Sequence, residues 1–173
     1  MRIRERKVLV GAHKSQQGQA AMRRSIALVH GPNLNLLGER QPEIYGMGTL
    51  DDLTQLAREA AIEHGYELAS LQTNSEAELI EAIHGLDSST AALILNAGAF
   101  THYSWAIADA IASKNVPTIE LHISNPAARE DFRTLSVLAA VVSGSISGFG
   151  GLGYVLAVQA AALLDKGTDS RRG

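Results

Sequence analysis

The chain has 173 residues, 46% of them hydrophobic, with a net charge of −3; this is the size and composition of one globular domain with a substantial core, and it leaves no room for a second. The absence of cysteine excludes a disulfide framework and thiolate metal sites, and suits a reducing compartment such as the cytoplasm. Residues 1–24 hold seven Lys/Arg against one Glu, so the remainder carries eight Lys/Arg against seventeen Asp/Glu; an acidic domain argues against a nucleic-acid partner, and no apolar stretch is long enough to span a membrane.

The basic segment 1–24 contains one apolar run, Val8 to Ala12, too short for the apolar region of a signal peptide. It reads as a disordered extension, nearly all of which a start at Met22 would remove. Beyond it, short β-rich runs alternate with helical ones, the pattern of a parallel sheet covered on both faces. Strands are expected at Ser25–His30, Tyr66–Leu71, Ala91–Asn96, Pro117–Ile123 and about Ala140–Ser147. Thr49 with Asp52, and Ser75 with Glu78, have capping-box spacing and predict helix starts near residues 50 and 76. A third helix is expected over Ser104–Ser113, and Asn125-Pro126 supplies an N-cap and first-turn proline for a short fourth one. The last helix, Gly151–Leu164, is apolar almost all round apart from Gln159. Such a helix needs cover on more than one side, and a partner subunit is expected to provide part of it. Residues 165–173 read as a flexible tail. The expectation is an α/β fold: a flavodoxin-like, doubly wound, five-stranded parallel sheet with helices on both faces, formed by residues 25–164.

Three polar clusters follow strand-like runs, at His30–Gly46, Leu95–His102 and Glu120–Asn125. In an open parallel sheet, ligands bind beyond the carboxyl ends of the strands, so these clusters can converge on one pocket. The first is a long connection punctuated by Gly38, Gly46 and Gly48, which reads as a closing lid bearing Arg40 and Tyr45. A tyrosine hydroxyl titrates near ~10, and a neighbouring guanidinium lowers that value toward a usable base; a loop tyrosine that merely packs is equally open from the residues alone. In the fourth strand Glu120 and His122 are two apart and share a face, opposite Ile119, Leu121 and Ile123. A carboxylate can hold an imidazole ready to donate a proton, although the same pair suits a structural ion pair. Asn96 and His102 are placed to hold hydroxyls, Arg133 to meet a hydroxyl or carboxylate, and the backbone at Ile123 and Ser124 to bind an anion at a helix start. A base, an acid and an anion cradle suffice to remove a proton beside a carbonyl and expel water.

Taken together, Gly31–Gly38, Arg40, Pro42-Glu-Ile-Tyr-Gly46, Leu95-Asn96, Thr101-His102 and Glu120–Asn125 resemble the type II 3-dehydroquinate dehydratases in order and spacing, over about residues 25–164. The resemblance implies a cofactor-free lyase converting 3-dehydroquinate to 3-dehydroshikimate through an enolate, in the shikimate pathway or in quinate breakdown. It implies a homo-oligomer, a dodecamer built of trimers. By this likeness Tyr45 is the base and Arg40 lowers its pKa; Asn33 holds a water that stabilises the enolate; His122 is the acid, oriented by Glu120. Asn96, His102, Arg133, Ile123 and Ser124 bind substrate, and Asp109 enters a neighbouring subunit's site. Glu39 and Gln41 beside Arg40, Ala108, Tyr103, Trp105 and the segment Ser136–Ala140 depart from the pattern, the last four bearing on subunit contacts.

Three other readings are weaker. A receiver domain needs acidic residues at the first strand end, and a flavin site needs aromatics that a 5% aromatic chain scarcely offers. A metal hydrolase could use His30, His102 and His122, but none has local ligand spacing. An imine mechanism needs a lysine at the strand ends, where Lys114 and Lys166 do not lie.

Overall fold

The computed structural model describes residues 24–38 and 48–169. Five strands, β1 (Ser25–His30), β2 (Glu67–Gln72), β3 (Thr90–Asn96), β4 (Thr118–His122) and β5 (Gly144–Ser147), form one sheet in the order β2-β1-β3-β4-β5. All neighbouring strands pair in parallel. The helices are α1 (Leu50–Glu63), α2 (Glu76–His84), α3 (Trp105–Ala112) and α4 (Leu152–Asp169). One core joins α1 and α4 to Ile26, Leu28, Ile94, Ile119 and Leu121, and a second joins α2 and α3 to Ala27, Val29, Leu93 and Leu95. Alternate residues of each strand thus feed opposite cores, and central β3 is buried at every position, as a doubly covered strand must be. The expected doubly wound, flavodoxin-like architecture is present. Its strand order reverses between β1 and β3, the switch point where such sheets bind ligands.

The helix starts lie where the sequence places them, with different completeness. At α1 the capping box closes both ways: Asp52 N–H donates to Thr49 Oγ1 (3.2 Å), and Thr49 N–H to Asp52 Oδ2 (2.9 Å). At α2 only half forms. Glu78 N–H donates to Ser75 Oγ (3.3 Å), but the Glu78 carboxylate accepts from the Thr73 hydroxyl instead. The expected fourth helix is a single 3-10 turn, Pro126–Ala128, capped by Asn125, with another at Asp131–Arg133.

Two further elements differ from expectation. β5 starts at Gly144 rather than near 140, because Val141 and Val142 N–H groups both turn back to the Leu138 carbonyl. Helix α4 runs on through Asp169, past the expected start of the tail. Asp165 is buried there, accepting from the Tyr66 hydroxyl (2.9 Å) and pairing with Arg24. Much of the cover expected from a partner comes instead from α1 and the sheet, against which Tyr154, Ala157, Val158, Ala161 and Ala162 are buried.

Beyond β1 the chain crosses the end of β3 at contact distance. A Cβ at Gly31 would stand 2.5 Å from the Ala97 carbonyl oxygen, and Gly31 N–H donates to the Asn96 carbonyl (2.8 Å). Only glycine fits so close a backbone approach.

Candidate active site

A pocket of about 240 Å³ opens beyond the carboxyl ends of β1, β3 and β4, lined from segments 32–37, 96–102 and 122–133. Of the residues singled out in the sequence, Asn33, Asn96, His102, His122, Ile123, Ser124 and Arg133 line it. Glu120 lies behind His122, 1% exposed. Arg40 and Tyr45 fall outside the described residues. Asp109 is exposed on α3 and is not part of the lining of its own chain's pocket.

Alternation along β4 places Glu120 and His122 on one face, and His122 Nε2 meets Glu120 Oε1 at 2.9 Å. Burial by itself would raise the Glu120 pKa. Donors from His122, Ser136 and Ser145 outweigh it and hold the carboxyl below its ordinary value. Ser145 is its register partner on β5 (3.2 Å), and Ser136 reaches both carboxylate oxygens (2.8 and 3.0 Å). An ionised carboxylate only accepts, so His122 Nε2 carries a proton and Nδ1 is the nitrogen left for a ligand. Protonated at both nitrogens, the ring can deliver a proton from Nδ1 while the carboxylate balances its charge.

His102 is fixed by the same logic. Its Nδ1 lies 2.7 Å from the Leu135 carbonyl, which can only accept; Nδ1 therefore bears hydrogen and Nε2 is an acceptor suited to a hydroxyl. Phe132 meets its ring edge-on at 6.0 Å. Asn33 sits in the left-handed region (φ 66°), its N–H held by Asn74 Oδ1 at 2.9 Å. Gln72, at the end of β2, braces this corner through Asn74 Oδ1 (3.1 Å) and the Gly31 carbonyl (3.3 Å).

The anion cradle expected at a helix start has no full helix behind it. The expected helix is one short turn, so its dipole contributes little. Peptide geometry contributes instead: the Ile123 carbonyl accepts from Gly150 (3.0 Å) and the Ser124 carbonyl from Gly148 (3.1 Å). In a trans peptide the N–H points opposite to its carbonyl, so the Ser124 N–H is directed away from that turn. At the rim, Glu130 accepts from Arg133 Nε (2.9 Å) and faces Arg129 Nε (3.5 Å), while the Arg133 guanidinium lies over the Phe132 ring, 4.7 Å from its centroid. Arg129 and Glu130 line the pocket and were not singled out in the sequence. The signal was present: two arginines four apart directly after a strand-end cluster.

Sequence comparison with known proteins points to one family. The family model described as Dehydroquinase class II covers residues 24–162. The 3-dehydroquinate dehydratase of Pelotomaculum thermopropionicum is 50% identical over 139 residues, 80% of this chain and 96% of that protein. That of Bacillus cytotoxicus is 51% identical over 143 residues, 83% of this chain and 97% of that protein.

The chain belongs to the class II dehydroquinases.

Solved structures agree. The type II dehydroquinase from Propionibacterium acnes superposes with a TM-score of 0.78 at 44% identity, covering 82% of this chain and 98% of its own. That from Butyrivibrio crossotus gives 0.78 at 38%, covering 80% and 97%. In this dehydroquinase His30, the third histidine of the metal reading, is apart from the pocket. Its ring is buried against Tyr154 (centroids 5.7 Å), and burial pushes its pKa down to about 4. Among the described residues no three His, Asp or Glu side chains are grouped to hold a metal ion.

Proposed function

We propose that the pocket removes water from 3-dehydroquinate through an enolate, with its base on the segment after β1 and its acid on β4. Dehydration of 3-dehydroquinate in the shikimate pathway is the reaction of this family, whose named members match most of the chain. The observation that carries the division of labour is the Glu120–His122 pair, a buried ionised carboxylate holding an imidazole whose Nδ1 is left to the pocket.

Tyr45, as the phenolate favoured by Arg40, takes the proton from the carbon beside the ketone. The electron pair moves onto the ketone oxygen, and a water held by Asn33 stabilises the resulting enolate. The enolate then re-forms the carbonyl and expels the hydroxyl one carbon further on, which leaves as water with the proton from His122. Asn96, His102, Arg133 and the Ile123–Ser124 backbone hold the substrate's hydroxyls and carboxylate. No cofactor takes part.

A dodecamer built of trimers and a cytoplasmic location belong to this proposal. Supporting the assembly, Tyr103, Trp105, Phe132 and Leu135 are large apolar side chains 58–67% exposed, and three of them flank His102; apolar surface so concentrated marks contact sites. Asp109, exposed on α3, is then free to enter a neighbour's pocket. Sedimentation of the purified protein decides between a twelve-subunit particle and a monomer.

The reaction is tested by the ultraviolet appearance of the conjugated enone on adding 3-dehydroquinate, with Tyr45→Phe and Tyr45→Ala in parallel. Enone from the wild type and none from either variant supports the reading. A fully active Tyr45→Phe keeps the reaction but removes Tyr45 as its base.

A further inference from the structure

The segment after the Asp131–Arg133 turn touches the site at three consecutive residues. The Leu135 carbonyl accepts from His102 Nδ1 (2.7 Å), the Ser136 hydroxyl donates to Glu120 (2.8 and 3.0 Å), and Val137 N–H donates to the Thr101 carbonyl (2.9 Å). Thr101 and His102 follow β3, whereas Glu120 lies on β4. One short strap therefore fixes the loop bearing one histidine relative to the carboxylate that holds the other. Two of the three contacts come from Ser136 and Val137, in the segment that departs from the family pattern.

At the centre of the strap the direction of the hydrogen bond is forced. A serine hydroxyl has one proton and two lone pairs. The Ser136 lone pairs receive the N–H groups of Leu138 (3.2 Å) and Ala139 (3.1 Å), so its proton goes to Glu120. The Ser145 hydroxyl is more distant at 3.2 Å and reaches one carboxylate oxygen only.

We propose that Ser136 is a positioning residue for the reaction, locking the Glu120 carboxylate in the orientation that presents His122 Nδ1 to the substrate. This rests on His122 as the proton donor. Losing the hydroxyl removes one of three donors from a buried carboxylate, so Glu120 becomes easier to protonate and its grip on Nε2 loosens. Among the described residues, the other titratable groups at the pocket are His102 after β3 and Arg129, Glu130 and Arg133 after β4; Asn96 on β3, and Ser145 and Ser147, the register partners of Glu120 and His122 on β5, do not titrate.

The test compares Ser136→Ala, Ser136→Thr and His122→Asn, reading kcat and KM across pH. For Ser136→Ala, kcat falls about tenfold, the scale of one hydrogen bond to a charged group. KM stays within twofold, and the acid limb of the kcat profile moves to higher pH. Ser136→Thr restores most of kcat. Ser136→Cys keeps the shape with a much weaker donor and carries the same expectation should the alanine variant fold poorly. A wild-type kcat and acid limb in Ser136→Ala and Ser136→Cys, with His122→Asn inactive, overturns the role of Ser136 alone. A fall in kcat with an unmoved acid limb and no rescue by threonine also overturns it. An active His122→Asn overturns the assignment of the donor, and this proposal with it.

Discussion

Glu120 and Glu130 serve the same pocket from its floor and its rim. Glu120 is 1% exposed and accepts from one imidazole and two hydroxyls. The Glu130 side chain is 55% exposed and answers two arginines in water. A charge-assisted contact out of solvent keeps most of its strength, whereas a surface ion pair is worth little and weakens with salt. The floor can therefore set protonation states, while the rim can only orient and steer. It follows that the floor should answer to pH and the rim to ionic strength.

The largest expected effect is at the floor. Glu120→Gln turns an acceptor of three donors into an amide that can satisfy only part of them, and it takes away the charge that balances His122. kcat should fall about 10²–10⁴-fold, the usual span for a disabled acid; activity within tenfold of wild type would erase the distinction between floor and rim.

Next comes His30, buried beneath the strand ends. Its folded pKa of about 4 lies below the ordinary 6.5, so its charged form is disfavoured by folding. Above 6.5 this costs nothing. Between 6.5 and 4 the unfolded chain takes up a proton that the folded chain refuses, and stability falls as pH falls, by about 3 kcal/mol in total. Denaturant unfolding at pH 7 and pH 4.5 should show a smaller loss for His30→Asn than for wild type. Glu120 adds to the wild-type slope further down: its lowered pKa gives stability present above the ordinary carboxylate range and lost as pH drops through the folded value.

At the rim the effects shrink. Arg133→Ala should raise KM about tenfold to a hundredfold with kcat little changed, as expected for removal of a charge-assisted contact to substrate. Glu130→Gln should change KM less than about threefold, downward, because its arginines no longer divide their attention between carboxylates. The wild-type KM should rise with added salt more steeply than kcat falls. A kcat that collapses with salt while KM holds would place the sensitive charges on the floor instead.

The same floor and rim explain what was legible in the sequence. Glu120 and His122 were readable because strand alternation is local, and Asn96 and His102 because they follow an apolar run that had to be β3. Ser145 could not be read, since its place beside Glu120 depends on the β4–β5 register. Ser136 was hidden further, in a loop whose only visible property was being atypical. Asn125-Pro126 announced a cap truthfully but not the length of what it caps, and a single 3-10 turn has no apolar period to find. Asp165 misled in the opposite direction. A charge closing an apolar helix looks like the start of a tail, whereas Tyr66 and Arg24 reach it from 99 and 141 positions earlier in the chain.

The contact between Gly31 and Ala97 bears on redesign. Because the gap between the loops after β1 and β3 is set by backbone touching backbone, this side of the pocket works as a fixed caliper. Among the described residues, trimming the side chains that line this side leaves the backbone spacing itself in place. The opposite side, residues 122–133, presents long side chains such as Arg129 and Arg133 to the pocket instead, and a library aimed at new substrates starts on that jaw.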